Sequence, residues 1–207
     1  MTLRAAALLI LLGWGLVQPA QAGPRPAPRP PAPLEAAFAD QRLALALIRH
    51  GDAAADPLAL IMAARIQQRI GTRTSDTSPV GVAALLERAT RLAGTRQDLL
   101  GLIADVRAEG MRGAVIGPRL ERYFAPVNGL QQLLVRFVGG EPAKVEWDNA
   151  GRENLEVEIL DARGQTVCKR RGQGRDCFWI PPAEGESYEI RIRNAGPAGA
   201  EFSLFHN

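Results

Sequence analysis

Cys168 and Cys177 are the only cysteines of the chain, and the cations Lys169, Arg170, Arg171 and Arg175 lie between them. A disulfide across the base of a hairpin is the simplest chemistry for such a pair. A structural zinc site needs four ligands, and the chain has only two histidines to add. Closing a loop of roughly ten residues stabilises by about 2.5 to 3 kcal/mol when the cross-link acts through chain entropy. Redox or metal chemistry is the rival reading. Cations held on such a tip would suit an anionic polysaccharide, lipid headgroups or an acidic protein, and a merely solvated turn competes with that surface. Glu156 and Glu158 are spaced two apart, as carboxylates on one strand face, with ion pairing as their default role. Trp147, Phe178 and Trp179 are aromatic enough to stack on a sugar, or to fill a core.

Arg49-His50-Gly51 resembles the motif of histidine phosphatases, in which the histidine is phosphorylated. That motif follows a β-strand at the head of an α/β domain. Here it follows an alanine-rich helical stretch, and the only other histidine is His206 near the C-terminus. The opposing reading is a helix end, where Arg49 and His50 face the negative pole of the dipole and Gly51 stops the helix. No nucleophile elbow, zinc-protease helix, phosphate loop or dinucleotide fingerprint occurs, so no enzyme, cofactor or catalytic residue is predicted.

The elements that must position these residues change character along the chain. From about residue 131 onward, apolar and charged residues alternate. Tyr188, Ile190 and Ile192 alternate with Glu189, Arg191 and Arg193, and Leu155, Val157 and Ile159 with Glu156 and Glu158. Turn residues separate about seven such short segments, which predicts an antiparallel β-sandwich over residues 131–207. If the Glu156 strand lies beside the Arg191 strand, opposed charges add a few tenths of a kcal/mol each, on the order of usual cross-strand values.

Phe137-Val138-Gly139-Gly140-Glu141-Pro142-Ala143, Asn154-Leu155-Glu156-Val157, Cys177-Phe178-Trp179-Ile180-Pro181 and Tyr188-Glu189-Ile190-Arg191-Ile192-Arg193-Asn194 together resemble the bacterial pre-peptidase C-terminal (PPC) domain family. The resemblance implies a jelly-roll sandwich on a secreted protein, serving secretion, localisation or substrate binding without chemistry. Asn154-Leu155-Glu156 stands where that family often has Asp-Leu-Asp, which departs from its calcium-binding pattern.

Residues 1–22 read as a secretory signal peptide, with Arg4, an apolar run and Ala20-Gln21-Ala22 as the cleavage site. The apolar run, about 13 residues, falls short of the ~20 needed to span a bilayer, so no transmembrane segment is expected after cleavage. Export to the periplasm or the extracellular space agrees with a disulfide. Residues 23–33 alternate proline with alanine and arginine as an extended linker. Residues 34–112 read as about four short helices packed as hairpins. Asp56-Pro57 and Ser78-Pro79 are their start signals, and Gly51, Gly71, Gly94 and Gly110 their stops. Leu58, Ile61, Met62 and Ile66, then Leu85, Leu86, Ala89 and Leu92, then Leu99, Leu102, Ile103 and Val106, are the apolar stripes. Residues 113–130 form a connector in which Arg122-Tyr123-Phe124 offers an edge strand.

The formal net charge of +3 comes from well-mixed charges of both signs, so no nucleic-acid footprint is concentrated anywhere. The reading is an α+β protein in two parts, helical hairpins followed by a jelly-roll-like sandwich. It is expected to be an exported, non-catalytic binding or localisation module whose partner is a protein or an anionic envelope polysaccharide. A purely structural or export-stability element is the first rival, and a hydrolase built on Arg49-His50-Gly51 the second.

Overall fold

The computed structural model describes residues 29–110, 117–150, 154–172 and 176–207. The predicted signal peptide and most of the proline-rich linker lie outside them. Among the described residues four helices come first: α1 (Ala32–Ala54), α2 (Pro57–Arg69), α3 (Val82–Ala93) and α4 (Gln97–Gly110). Asp56 caps α2 as its sequence predicts. Its Oδ1 accepts hydrogen bonds from the backbone amides of Leu58 (2.9 Å) and Ala59 (3.4 Å), with Pro57 in the first turn.

Two local signals are overruled. Gly51 does not stop α1, which runs on to Ala54 and ends at Ala55 in the left-handed conformation (φ 50°). The glycine instead lets α2 come close, because a Cβ there would stand 2.7 Å from Leu60 Cδ2. Ser78-Pro79 forms a turn, with the Gly81 amide bonded to the Ser78 carbonyl at 3.1 Å, and α3 begins only at Val82. α2 is the central helix, packed on α1, α3 and α4. Ala59, Leu60, Ala63 and Ala64 are buried in those contacts, the alanines permitting close approach. Leu58, Met62, Leu92 and Leu102 consequently lie on exposed flanks and not in the core their stripes suggest.

Eight strands follow: β1 (Arg119–Ala125), β2 (Leu130–Phe137), β3 (Ala143–Asp148), β4 (Leu155–Leu160), β5 (Thr166–Arg171), β6 (Asp176–Trp179), β7 (Glu186–Asn194) and β8 (Ala200–His206). They form two four-stranded sheets in the orders β1-β8-β3-β6 and β2-β7-β4-β5, with every pairing antiparallel. This is the strand order of a jelly roll. Its first strand comes from within residues 113–130, at the Arg122-Tyr123-Phe124 segment. Val145, Trp147, Phe202 and Leu204 face Val157, Ile159, Ile190 and Ile192 across the sandwich core. At one end Asn194, fully buried, ties several loops together. Its Nδ2 donates to the carbonyls of Ala125, Pro126 and Ala198, and its Oδ1 accepts from Asn154 and from the Gly196 amide.

The disulfide Cys168–Cys177 is present, with Cα atoms 6.0 Å apart. It does not staple a hairpin. β5 pairs with β4 in one sheet and β6 with β3 in the other, so the bond joins the edges of the two sheets where the chain crosses between them. Replacing both cysteines with serine should therefore lower stability by about 2.5 to 3 kcal/mol. Hydrogen exchange should rise first in β5 and β6. An unchanged denaturation midpoint in the double variant, against oxidised wild type, would show that the cross-link adds nothing.

The two parts are not separate. Leu120 of β1 and Phe205 of β8 belong to the helical core, and Phe38 of α1 rests on Phe205 with ring centroids 5.2 Å apart. The sheet β1-β8-β3-β6 is thus covered on both faces, by the second sheet on one and by α1 on the other. A charge ladder lines the second contact. Glu35, Arg42 and Arg49, seven residues apart on α1, meet Lys144, Glu146 and Asp148, alternate residues of β3. Seven residues are two helical turns and two residues one strand repeat, so each series keeps to a single face. Glu35, Lys144, Glu146 and Arg42 close into a ring: Glu35–Lys144 2.5 Å, Lys144–Glu146 3.4 Å, Glu146–Arg42 2.9 Å and Arg42–Glu35 3.0 Å. Lys144 is 1% exposed and Glu146 4%. The hydrogen bond from Lys144 holds the Glu35 carboxyl below its usual range, whereas burial pushes that of Glu146 up against the pull of Arg42 and Lys144.

Candidate binding cleft between helices and sandwich

The residues singled out for chemistry in the sequence are mostly occupied. Lys169, Arg170 and Arg171 are part of β5 and not of a free tip, and Arg175 lies outside the described residues. Lys169 pairs with Glu158 at 3.2 Å and Arg171 with Glu156 at 3.0 Å. The expected register of Glu156 opposite Arg193 and Glu158 opposite Arg191 is present, but the ion pairs close onto β5, and Arg191 turns to Glu189 on its own strand at 2.8 Å. Trp147 and Trp179 are buried in the sandwich, where Trp179 packs on Phe137 and Tyr188 at centroid distances of 4.9 and 5.1 Å. Phe178 is half-buried at the edge strand β6.

Arg49 and His50 are separated in role. Arg49 reaches Asp148 across the interface at 2.5 Å, and His50 Nε2 stands 3.7 Å from Asp56. His206 belongs to the far end of the chain, at the edge of the sandwich beside Phe137, centroids 5.7 Å apart. Arg49 thus serves the docking of α1 on β3, and Gly51 that of α2 on α1.

A different group of residues comes together where the helices meet the sandwich. The loop after α2 is stitched to the start of β1. The Arg73 amide donates to the Pro118 carbonyl (3.0 Å), the Leu120 amide to the Arg73 carbonyl (2.8 Å) and the Gly117 amide to the Gly71 carbonyl (3.0 Å). This adds a short bridge, Arg73 to Arg119, on the outer edge of β1, and covers an edge that would otherwise offer unpaired backbone groups. Arg119 is in turn the register partner of His206 on β8. Arg73, Arg119 and His206 therefore stand side by side across adjoining segments.

They line a cleft of about 970 Å³ that also takes in the first turns of α1, the end of α2 and the end of β2. A second hollow of about 330 Å³, between β1 and β2, shares Arg119, Arg136 and His206 with it. Four arginines (Arg69, Arg73, Arg119 and Arg136) and two carboxylates (Asp40 and Glu141) line the larger cleft. Arg69 is answered by Asp40 at 3.0 Å, and Arg119 by Glu121 at 3.3 Å. Glu121 also accepts from the Ser75 amide and hydroxyl at 2.8 and 3.0 Å. Among the described residues, neither Arg73 nor Arg136 has a carboxylate at ion-pair distance; Arg73 Nε donates to the Gly117 carbonyl at 3.1 Å. Burial, with the charges of Arg119 and Arg73, holds the His206 imidazole below its usual range.

The described lining contains one histidine and no serine, threonine, cysteine or lysine. Guanidinium groups in such a wall can donate to an anion in forked pairs. No local sequence signal marks these arginines, because they come from positions 69, 73, 119 and 136 and meet only through the docking of α1 and the loop after α2.

No protein-family model matches the chain, and no curated protein matches it. Among solved structures, it is similar to the periplasmic inhibitor of g-type lysozyme PliG of Aeromonas hydrophila, at 14% identity and TM-score 0.37, over 44% of this chain and 84% of that one. It is similar also to the Yersinia pseudotuberculosis-derived mitogen, at 9% identity and TM-score 0.39, over 45% of this chain and 86% of that one. A third similarity is to a de novo designed double-stranded beta-helix, at 13% identity and TM-score 0.28, over 43% of this chain and 99% of that one. No helix among the described residues is long and apolar enough to cross a membrane.

Proposed function

We propose that this chain is an exported, non-catalytic binding protein whose ligand site is the cleft between its helical unit and its sandwich. The observation that carries the reading is the convergence of Arg73, Arg119 and Arg136, from three separate segments, on one concavity within the size range of ligand sites. The sandwich contributes the rim, and α1 docked on its outer face closes one side. Resemblance to the PPC family, whose sandwiches are appended modules without chemistry, supports the non-catalytic half of the reading. The signal-like residues 1–22 and the disulfide support export.

Ala36 is exposed on α1 and lines the cleft, so Ala36→Trp should obstruct the cleft while leaving the helix face beneath it intact. Chain beginning at residue 23, equilibrated with a small-molecule extract of the cell envelope and recovered by ultrafiltration, should retain a ligand that Ala36→Trp at equal thermal stability does not. Equal retention by both, or by neither, would sink the reading. A structural or export-stability element would then be the better account.

A further inference from the structure

Resting on that reading, we infer that the ligand is an amphiphilic anion, a carboxylate or phosphate head on an apolar body, with the head held between Arg119 and Arg136 and Arg73 beside them.

Three observations lead there. Arg119 and Arg136 line both hollows and so stand where the two meet, one at the start of β1 and the other near the end of β2. Arg136 has no carboxylate of its own among the described residues, and Arg73 spends only its Nε, on a carbonyl. Arg73 and Arg136 favour an anion, which Arg119 can also meet with the N–H groups that Glu121 does not take, and a planar or tetrahedral oxyanion matches the guanidinium fork. Apolar side chains also line both hollows. Leu34, Ile70, Val138 and Pro142 line the larger hollow, and Leu133 and Val135 the smaller. A purely polar anion would leave those side chains unused, and a neutral lipid would leave two arginines unanswered.

Equilibrium dialysis of the chain from residue 23 with dodecanoate, dodecyl phosphate and dodecanol, each below its micelle concentration, separates head from body. The two anions should bind, and dodecanol at least about tenfold more weakly, as expected for loss of a charge-assisted contact. Arg136→Gln removes no internal ion pair and should fold. It should weaken both anions by about fivefold or more while leaving dodecanol unchanged, and Arg163→Gln, in the turn after β4, should alter none of them. If one anion binds and the other does not, the head is narrowed to carboxylate or to phosphate. Equal binding of dodecanol, or anion binding indifferent to Arg136→Gln, overturns the inference while leaving a cleft ligand in place. Absence of all probe binding, with an envelope ligand still lost in Ala36→Trp, overturns the inference alone. Absence of both overturns the binding reading as well.

Discussion

Phe205→Ala is expected to lower stability by about 3 to 5 kcal/mol, the usual cost of removing a fully buried aromatic ring. For a chain of this size that corresponds to a fall in Tm of roughly 6 to 20 °C. Phe205 is on β8, yet its ring is part of the helical core, against Phe38 and in line with Leu120. Its loss leaves a void at the seam, so helices and sandwich should both be affected. Phe205→Leu, which keeps most of the volume, should cost under about 1.5 kcal/mol. The same geometry predicts that residues 34–112 alone will be poorly helical, since Leu120 and Phe205 are absent from that fragment. Circular dichroism melts of the fragment and of the two variants would decide the matter. A fragment melting cooperatively at the temperature of the whole chain would show that the sandwich adds nothing to the helical core.

The division of the chain into helices and antiparallel strands was legible because each depends on nearby residues. Asp56-Pro57 caps a helix whatever lies beyond it, and the alternation in Leu155 to Ile159 or Tyr188 to Ile192 is set by one buried face. Errors arose where a neighbour decided the outcome. Gly51 carries a stop signal, but Leu60 occupies the space beside it and α1 continues. Nothing local says that a helix covers Lys144 and Glu146, the charged residues that alternate with Val145 and Trp147. The hint was on α1, where Glu35, Arg42 and Arg49 recur every seven residues with signs opposite to Lys144, Glu146 and Asp148. The cationic cluster most visible in the sequence, around Lys169, is largely answered by Glu156 and Glu158. The arginines that converge on the cleft are dispersed over nearly seventy positions, from Arg69 to Arg136, and only the tertiary fold brings them together.

Glu146→Leu should destabilise by about 3 kcal/mol, because it removes the one carboxylate buried beside Lys144 and leaves that charge to partners at the solvent edge. Lys144, 1% exposed, would keep Glu35 and, at 4.0 Å, Asp176, both on the solvent side, while Arg42, whose side chain is 44% exposed, can turn outward to water. Lys144→Met should cost less than Glu146→Leu, since Glu146 retains both hydrogen bonds from Arg42, at 3.0 and 2.9 Å. The double variant Lys144→Met/Glu146→Leu should recover most of the loss, as a buried pair exchanged for apolar residues of similar size often does. Urea denaturation of the four proteins completes the cycle, and additive losses would mean that the ring carries no coupling. A further consequence concerns register. Sliding α1 by two turns would set Arg42 against Lys144, so the alternation of signs penalises the displaced docking as well as favouring the observed one. The double variant should then keep its stability but lose its selectivity for a single seating of α1. A second set of α1 amide signals in its NMR spectrum, absent from wild type, is the expected sign. A single sharp set would assign the seating of α1 to Phe38, Phe205 and the remaining pair of Arg49 with Asp148.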